Sequence, residues 1–532
     1  GIIHTALCIT HGVFSCGNMK RYQNWILAGL SGILLILSHP SFNLFPLAWI
    51  ALVPLLISLK SISNWKSAFW LGYITGLIFF FGLVYWIALL YPYANIFVTT
   101  LGCVALVGYI GVYVGVFAGL LHWLPWRSGL PFIFIAASIW TGLEWVRGWL
   151  LTGFPWGSMG YTQWNNLPAI QIASITGVYG VSFVIVLFNA AIADLIRAYP
   201  DWRRQVKAIV LPVIIVIASF AYGIFCLSNS EEATDSIKIA LVPGNVRQIE
   251  KWNPKHFPRI FDKYIRLTEK ANTANPDLIV WPETTLRGSI LSDQVNPNIR
   301  QYNQRLKQML DKHQIYLLTG MVNLEPADNA YYNSVFLLSP AGKKLGSYSK
   351  IHLVPFGEYV PLSRYLPNLI QFKPYEPGKS TKPLPFPNTK NTQIGISICF
   401  ESVFPNLFRK AVKKGANVMG ILTNDAWFEN TAAPEQHLAV APFRAVENRV
   451  PVFRCANGGI SCIIDSFGRV KTRILPDDTR NFLIEEVSLS HQKKTFYTRY
   501  GDWFPILCFL VSLALISYQS WIWVAAKFSR QA

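Results

Sequence analysis

The chain has 532 residues, of which 52% are hydrophobic and only 14% charged, and its formal net charge at pH 7 is +19. Soluble domains carry roughly 25% charged residues, so this composition excludes a protein whose whole surface faces water. The positive charge does not indicate nucleic-acid binding either, because Lys and Arg are spread over one domain or gathered at the ends of apolar stretches instead of lining one face.

Residues 1–18 begin with Gly and contain His, Cys and Gly, but no basic n-region of a signal peptide. Met19-Lys20-Arg21 directly precedes the first apolar stretch. Residues 1–18 therefore read as an extension ahead of the native start, and 19–228 as the membrane part. A helix crosses a bilayer with about 20 apolar residues. Candidate spans lie at 24–38, 45–59, 67–90, 95–123, 130–149, 169–196 and 207–227, and an eighth follows at 504–526. The first two are short and have Pro40 and Pro46 between them, so they are either a tight hairpin or a partly re-entrant pair.

Orientation follows from the basic loops. Lys20 and Arg21, Lys60 and Lys66, Arg127, then Arg197, Arg203, Arg204 and Lys207, and finally Lys527 and Arg530 all fall on one side, while loops 39–44 and 91–94 carry no Lys or Arg. The large domain between spans seven and eight is thereby expected on the other side, which in a bacterium is the periplasm. Glu144 and Arg147 have the i, i+3 spacing that lets them meet on one helix face. The aromatic, Gly- and Pro-rich run that follows, within 150–166, is expected as a periplasm-side arm at the headgroups or as an irregular connection.

From 236 to 500 apolar β-branched runs alternate with amphipathic stretches, which predicts an α/β domain. Strands are expected at 237–242, 277–281, 315–321, 334–338, 393–398, 417–423 and as a pair within 451–465. Helices are expected at 255–273, 298–313, 404–414 and 434–448. Three of the strands deliver chemistry. Glu283 follows the strand that ends in Trp281, Lys350 follows a probable hairpin, and Cys399 follows Gln393–Ile398. Each alone has an ordinary explanation: a helix-capping acid, a solvated lysine, a core thiol. Together they are the parts of acyl transfer through a thioester. The thiolate is the nucleophile, Glu283 can take and return its proton, and Lys350 can stabilise the thiolate and the oxyanion. Glu358 is placed to orient Lys350.

The stretches Trp281-Pro282-Glu283, Tyr348-Ser349-Lys350-Ile351-His352-Leu353-Val354-Pro355-Phe356-Gly357-Glu358 and Ile398-Cys399-Phe400-Glu401 resemble the nitrilase superfamily. Set between membrane spans, with Glu144-Trp145-Val146-Arg147, Phe154-Pro155-Trp156 and Thr423-Asn424-Asp425-Ala426-Trp427-Phe428, they resemble its bacterial apolipoprotein N-acyltransferase branch from Met19 onward.

That resemblance implies an α-helical membrane bundle of about eight spans with a four-layer α-β-β-α domain in the periplasm, anchored in the bacterial inner membrane. It implies a triad of Glu283, Lys350 and Cys399, supported by Glu358 and Glu401. Substrate is met by Trp252 on a mobile loop, by Phe400 where the family often has Tyr, and by Trp427. The implied reaction moves an acyl chain from the sn-1 ester of a phospholipid such as phosphatidylethanolamine, through a Cys399 thioester, to the α-amine of an S-diacylglyceryl-cysteine apolipoprotein. The protein is expected to act as a monomer, with no cofactor, metal or nucleic acid. Phe428-Glu429 replaces the usual Phe-Gly, and segments 357–375 and 425–431 are expected to be mobile. A small amide or nitrile hydrolase with a membrane anchor is the competing reading; seven spans ahead of the domain exceed what anchoring requires. Cys455 and Cys462 flank a turn and are candidates to pair in an oxidising compartment, leaving Cys399 free.

Overall fold

The computed structural model describes residues 16–529 other than 94, 201–202, 204–205, 231–234, 288–296, 326–328, 362–373, 388–390, 429, 480 and 492. Most of the expected extension (1–15), the core of the expected mobile segment (362–373) and Glu429 lie outside the described residues. The chain divides into two compact units. One comprises residues 1–162, 179–218 and 504–532; the other comprises 163–178 and 219–503.

The first unit is helical. Among the described residues of the whole chain, six helices are long and apolar enough to cross a membrane: Trp65–Leu90, Ile96–Trp123, Gly129–Arg147, Val178–Arg197, Val206–Ser228 and Trp503–Phe528. The two short N-terminal stretches remain short, at Tyr22–Ser38 and Phe45–Ser61, and the second is split into 3-10 and α segments. Trp65–Val84 packs closely on Ile96–Trp123 because Gly72 and Gly76 face Val114 and Gly111; a Cβ at Gly72 would lie 2.4 Å from the Val114 carbonyl oxygen. Lipid offers no hydrophobic drive, so small residues that let backbones approach supply this packing. Three basic loops meet at one end of the unit. The Lys60 ammonium bonds the Arg197 carbonyl, Arg127 bonds His122 at 2.9 Å, and Arg197 covers the Phe132 ring.

One membrane expectation is corrected and one open alternative is resolved. The span expected at 169–196 begins at Val178: Leu167–Ile170 and Ala173–Thr176 are separate short helices, and Gly177, at φ +69°, turns the chain between them and the long helix. Of the two readings of the run after Arg147, the structure shows the irregular connection: Trp149 and Leu151 are more than half exposed, and the chain is largely buried from Trp156 on. Trp156, Ser158, Met159 and Tyr161 are all buried. Glu144 and Arg147 bond this connection: Glu144 Oε1 accepts from the Met159 N–H at 2.7 Å, and Arg147 Nη1 donates to the Trp156 carbonyl at 2.6 Å.

The second unit is built on two six-stranded sheets. The strands are β1 (Ser236–Leu241), β2 (Leu278–Arg287), β3 (Leu317–Glu325), β4 (Ala330–Leu338), β5 (Lys344–Ser349), β6 (Leu384–Pro385), β7 (Gln393–Ile398), β8 (Val418–Asn424), β9 (Val452–Asn457), β10 (Ser461–Ile464), β11 (Val470–Ile474) and β12 (Leu483–Ser488). Their orders are β12-β1-β2-β3-β4-β5 and β11-β10-β9-β8-β7-β6. In each sheet three parallel strands (β1, β2, β3 and β7, β8, β9) lead into two antiparallel ones, so the same motif is used twice.

Alternation along each strand splits its side chains between two cores. Ile237, Ile239 and Leu241 of β1 share one buried cluster with Ile394, Ile396 and Ile398 of β7 and with Phe453 of β9, so the sheets face each other across it. The outer face of the first sheet packs on helices Phe257–Asn272 and Pro297–His313 through Phe261, Tyr264 and Leu310. The second sheet packs on Pro405–Lys413 and Val440–Asn448 through Phe408, Val412 and Ala445. The layers are therefore α-β-β-α. The expected pairing of Cys455 with Cys462 is overturned: both are free, and they occupy opposite faces of one sheet, Cys455 in the inter-sheet core and Cys462 in the outer one.

Candidate active site

Glu283 is carried on a bulge. Trp281 of β2 pairs with Thr319 of β3 and Leu286 with Met321, so residues 282–285 lie opposite Gly320 alone. A Cβ at Gly320 would lie 2.4 Å from the Pro282 carbonyl oxygen and 2.6 Å from the Glu283 Cα, so glycine is what lets the bulge close. The bulge aims Glu283 at the carboxyl end of the strand, where open sheets place their ligands. Lys350 sits just past β5, where its own N–H bonds the Asn333 carbonyl at 2.8 Å. Cys399 sits where β7 gives way to a 3-10 turn, in the left-handed region at φ 53°. A thiol-bearing residue held in this sparsely populated conformation at a strand end is strain of the kind that sites retain.

These groups converge in a buried cluster. Lys350 Nζ lies 2.9 Å from Glu358 and 3.6 Å from Glu283 Oε1. Asn333 Nδ2 donates to Glu283 Oε1 at 2.7 Å and to Glu358 Oε1 at 2.9 Å, holding the two carboxylates apart at a fixed spacing. Glu283 Oε2 accepts from the Asn424 N–H at 2.8 Å, and Glu358 Oε2 accepts from the Val354 N–H at 2.8 Å. Lys251 Nζ caps the Glu283 carbonyl at 2.8 Å.

Burial alone would favour neutral Lys350, but Glu358 first and Glu283 next hold its ammonium charged, above the ordinary lysine range. Cys399 is only partly buried in its surroundings, yet desolvation, and after it the charge of Glu283, push the thiol up to about 12, with Lys350 opposing. At neutral pH Cys399 is thus held as a thiol, not as a preformed thiolate.

A second buried network holds the nucleophile turn. Glu401, fully buried, accepts four hydrogen bonds: at Oε1 from the Tyr348 hydroxyl (2.8 Å), the Ile351 N–H (2.6 Å) and the His352 N–H (3.1 Å), and at Oε2 from the Ile398 N–H (2.7 Å). It thereby ties the turn of Cys399 to the turn of Lys350. Behind Cys399, His437 Nε2 lies 3.1 Å from the Cys399 carbonyl oxygen, and its Nδ1 faces Arg454 Nη2 at 3.2 Å and Asp425 Oδ1 at 3.1 Å. Burial and then Arg454 lower the pKa of His437, so the ring is neutral. The ring lies between these groups, and its Nε2 also meets the Ser402 hydroxyl at 2.9 Å. Arg454 in turn bonds Asp425 at 2.6 Å.

The remaining sequence candidates lie on the elements that frame this cluster. Trp252 caps the short helix Gln248–Lys251, whose Gln248 accepts from Asn424 Nδ2 at 2.8 Å. Trp427 ends the 3-10 turn Asp425–Trp427, and both tryptophans are more than a third exposed. Phe400 packs edge-on against Phe404 at 5.2 Å and lies 6.0 Å from the His352 ring. Sequence reasoning missed Asn333, Asn424, His437 and Arg454. A signal existed for two of them, since Asn333 and Arg454 are polar residues inside apolar strands.

The sequence matches two family models and a set of full-length relatives. Residues 31–191 match the family model described as apolipoprotein N-acyltransferase N-terminal domain, and residues 239–495 match carbon-nitrogen hydrolase. An apolipoprotein N-acyltransferase of Geobacter metallireducens is 39% identical over 499 residues, covering 91% of this chain and 93% of that protein. Apolipoprotein N-acyltransferase 1 of Treponema denticola is 32% identical, covering 92% and 94%. Among solved structures, Saccharomyces cerevisiae Nit3, of branch 10 of the nitrilase superfamily, covers 49% of this chain and 92% of its own at 20% identity and a TM-score of 0.37. On the extent and identity of the full-length matches, the chain belongs to the apolipoprotein N-acyltransferase family.

Proposed function

We propose that this chain N-acylates apolipoproteins by a two-step exchange through Cys399. In the first step Sγ attacks the sn-1 ester carbonyl of a phospholipid such as phosphatidylethanolamine. Glu283 takes the thiol proton and delivers it to the departing glycerol oxygen, so a thioester forms and lysophospholipid leaves. In the second step the α-amine of an S-diacylglyceryl cysteine attacks the thioester carbonyl. Glu283 accepts the amine proton and returns it to sulfur, giving the amide and the free thiol. Lys350 faces the negative charge that develops in each tetrahedral intermediate, while Glu358 and Asn333 keep its ammonium in place. Trp252, Phe400 and Trp427 offer apolar contacts to the incoming chains.

The observation that carries this reading is the cluster itself: one buried ammonium between two carboxylates, beside a protonated thiol. A thiol at about 12 reacts only if its proton is removed as the acyl carbon is engaged, which assigns the task to a neighbouring base. The basic loops support a periplasmic site, where both substrates would meet the enzyme at the outer leaflet.

The test is intact-mass spectrometry after incubation with phosphatidylethanolamine. Wild type should gain one acyl group that hydroxylamine removes, and Cys399→Ser should gain none that does. Absence of adduct, free fatty acid and N-acylated product in the wild type would refute the proposal. Cysteine-accessibility labelling of the domain in intact spheroplasts tests the orientation, which fails if labelling requires permeabilisation.

A further inference from the structure

A second site lies apart from the residues just described. The end of helix Val206–Ser228 and the turn after helix Val440–Asn448 enclose a cavity of about 320 Å³ lined by Ser174, Tyr222, Cys226, Arg449, Phe467 and Phe496, among others. None of these belongs to the candidate active site.

Arg449 is the unusual member. It stands in the left-handed region at φ 52°, ψ 45°, as the C-cap of its helix, a position glycine or asparagine ordinarily takes because the β-carbon is disfavoured there. Its side chain is 93% withdrawn from solvent, being 7% exposed. Nη1 donates to Gln171 Oε1 at 2.6 Å and to the Ser466 carbonyl at 3.3 Å, and the guanidinium covers the Phe467 ring at 4.5 Å. Nη2 has no carbonyl or carboxylate acceptor among the described residues; the Tyr222 hydroxyl and the Cys226 thiol interact with the guanidinium. No carboxylate in the described residues pairs with this cation, whereas nearby Arg444 and Arg469 have Glu447 and Asp465.

A buried guanidinium without an anion is costly, and its fork suits phosphate and carboxylate. The place narrows the choice. The cavity sits at the polar end of an apolar membrane-length helix with mean hydropathy 2.6, the depth at which headgroups lie. Its Phe225, Phe467 and Phe496 walls suit the glycerol and first methylenes of a lipid.

We propose that this cavity seats a phosphate group, that of a phospholipid headgroup, with Arg449 as its counter-charge and Tyr222 as a second donor. The site would anchor a lipid beside the end of helix Val206–Ser228, distinct from the acyl donor at Cys399.

Cys226 supplies the reporter, as a free, partly exposed thiol on the cavity wall. The full chain in detergent is treated with iodoacetamide, and labelling of the Cys226 peptide is followed by mass spectrometry. Four arms are compared: no addition, short-chain phosphatidylglycerol, chain-matched diacylglycerol, and inorganic phosphate. Phosphatidylglycerol should slow labelling at least fivefold while diacylglycerol does not. Protection by phosphatidylglycerol alone identifies the source as lipid. Equal protection by inorganic phosphate keeps the phosphate site but overturns its assignment to a headgroup. Protection by diacylglycerol as well, or by nothing, overturns the proposal. Arg449→Gln should abolish protection. As a check independent of the folding of that variant, Asn229→Asp, on the exposed rim, should also cut protection at least fivefold by repulsion, and unchanged protection in it counts against the site.

Discussion

Replacing Glu283 with Gln should move two readouts in opposite directions. The Glu283 carboxylate is, after burial, the main influence raising the Cys399 thiol to about 12. Neighbouring unit charges at roughly 4–6 Å and an effective dielectric of about 20 interact by about 3–4 kcal/mol, or about 2–3 pH units. Lys350, freed of one carboxylate partner at 3.6 Å, would act more strongly on the thiol in the same direction. At pH 8 a thiol of pKa 12 is about one part in 10⁴ thiolate, and the substitution should raise that fraction roughly 100-fold or more. Alkylation by iodoacetamide, a small neutral reagent, should accelerate to match.

Acyl transfer in the same variant should fall by about 10²- to 10⁴-fold, because the proton acceptor is gone. The amide carries a structural cost. Both Glu283 oxygens accept from nitrogen donors, Asn333 Nδ2 and the Asn424 N–H, and Gln presents one NH₂ where an oxygen was. The resulting loss of about 1–3 kcal/mol should register as a lower unfolding temperature, with the protein still folded. The assay is thiol-specific labelling at Cys399 and transfer rate on one preparation. If alkylation and transfer fall together, Glu283 supports the thiolate in the resting protein and the reasoning fails. If transfer stays within tenfold of wild type, Glu283 is not the base.

Asn333→Ala, which frees Glu283 and Glu358 from their shared donor, should lower kcat about 10- to 100-fold in the same transfer assay. Glu401→Gln turns one of two oxygens that take four donors into a donor; thermal unfolding should report a loss of about 2–4 kcal/mol, with activity lost in parallel. Burial opposes ionisation of Asp425, but Arg454 and then His437 hold it at about 2 against its ordinary 3.8. Its stabilising contribution is therefore complete above pH 3.8 and is lost as pH falls through about 2. Asp425→Asn, which strips Arg454 of its counter-charge, should cost about 3–5 kcal/mol at pH 7, and the difference from wild type should narrow in unfolding scans toward pH 2. Cys455 and Cys462 should both titrate as free thiols after denaturation without reductant.

The parts of the site that announce themselves in the sequence are those tied to local signals. Glu283, Lys350 and Cys399 each follow a recognisable strand, and the membrane helices are plain from hydropathy. The parts that do not are fixed by distant partners. Asn333 finds its acceptors 50 and 25 residues away, and His437 reaches the Cys399 carbonyl across 38. β12 closes the first sheet by pairing with β1 from the far end of the domain, and nothing in either strand names the other. The break at Gly177 was hidden because 169–176 is apolar enough to extend a span; Gln171 bonds the Phe467 carbonyl and Arg449 instead. The separation of Cys455 from Cys462 follows from the two-residue period of a strand, since neighbouring registers point to opposite faces. Only the pairing of Cys462 with Arg454 shows which register is used.

The protonated state of Cys399 has a consequence for durability. Thiolates attack peroxides and stray disulfides far faster than thiols do, and Cys455, a strand-borne thiol in the same core, is two strands away from β7, about 10 Å at the usual spacing and too far to form a disulfide with Cys399. With Cys455 out of reach, a sulfenic acid at Cys399 would have no resolving thiol on the strands of that core among the described residues, so a thiol that stays protonated until substrate arrives would be an advantage. In the proposed mechanism the carboxylate that suppresses the thiolate at rest is also the base that generates it on demand, so chemical protection and catalysis would rest on the same side chain.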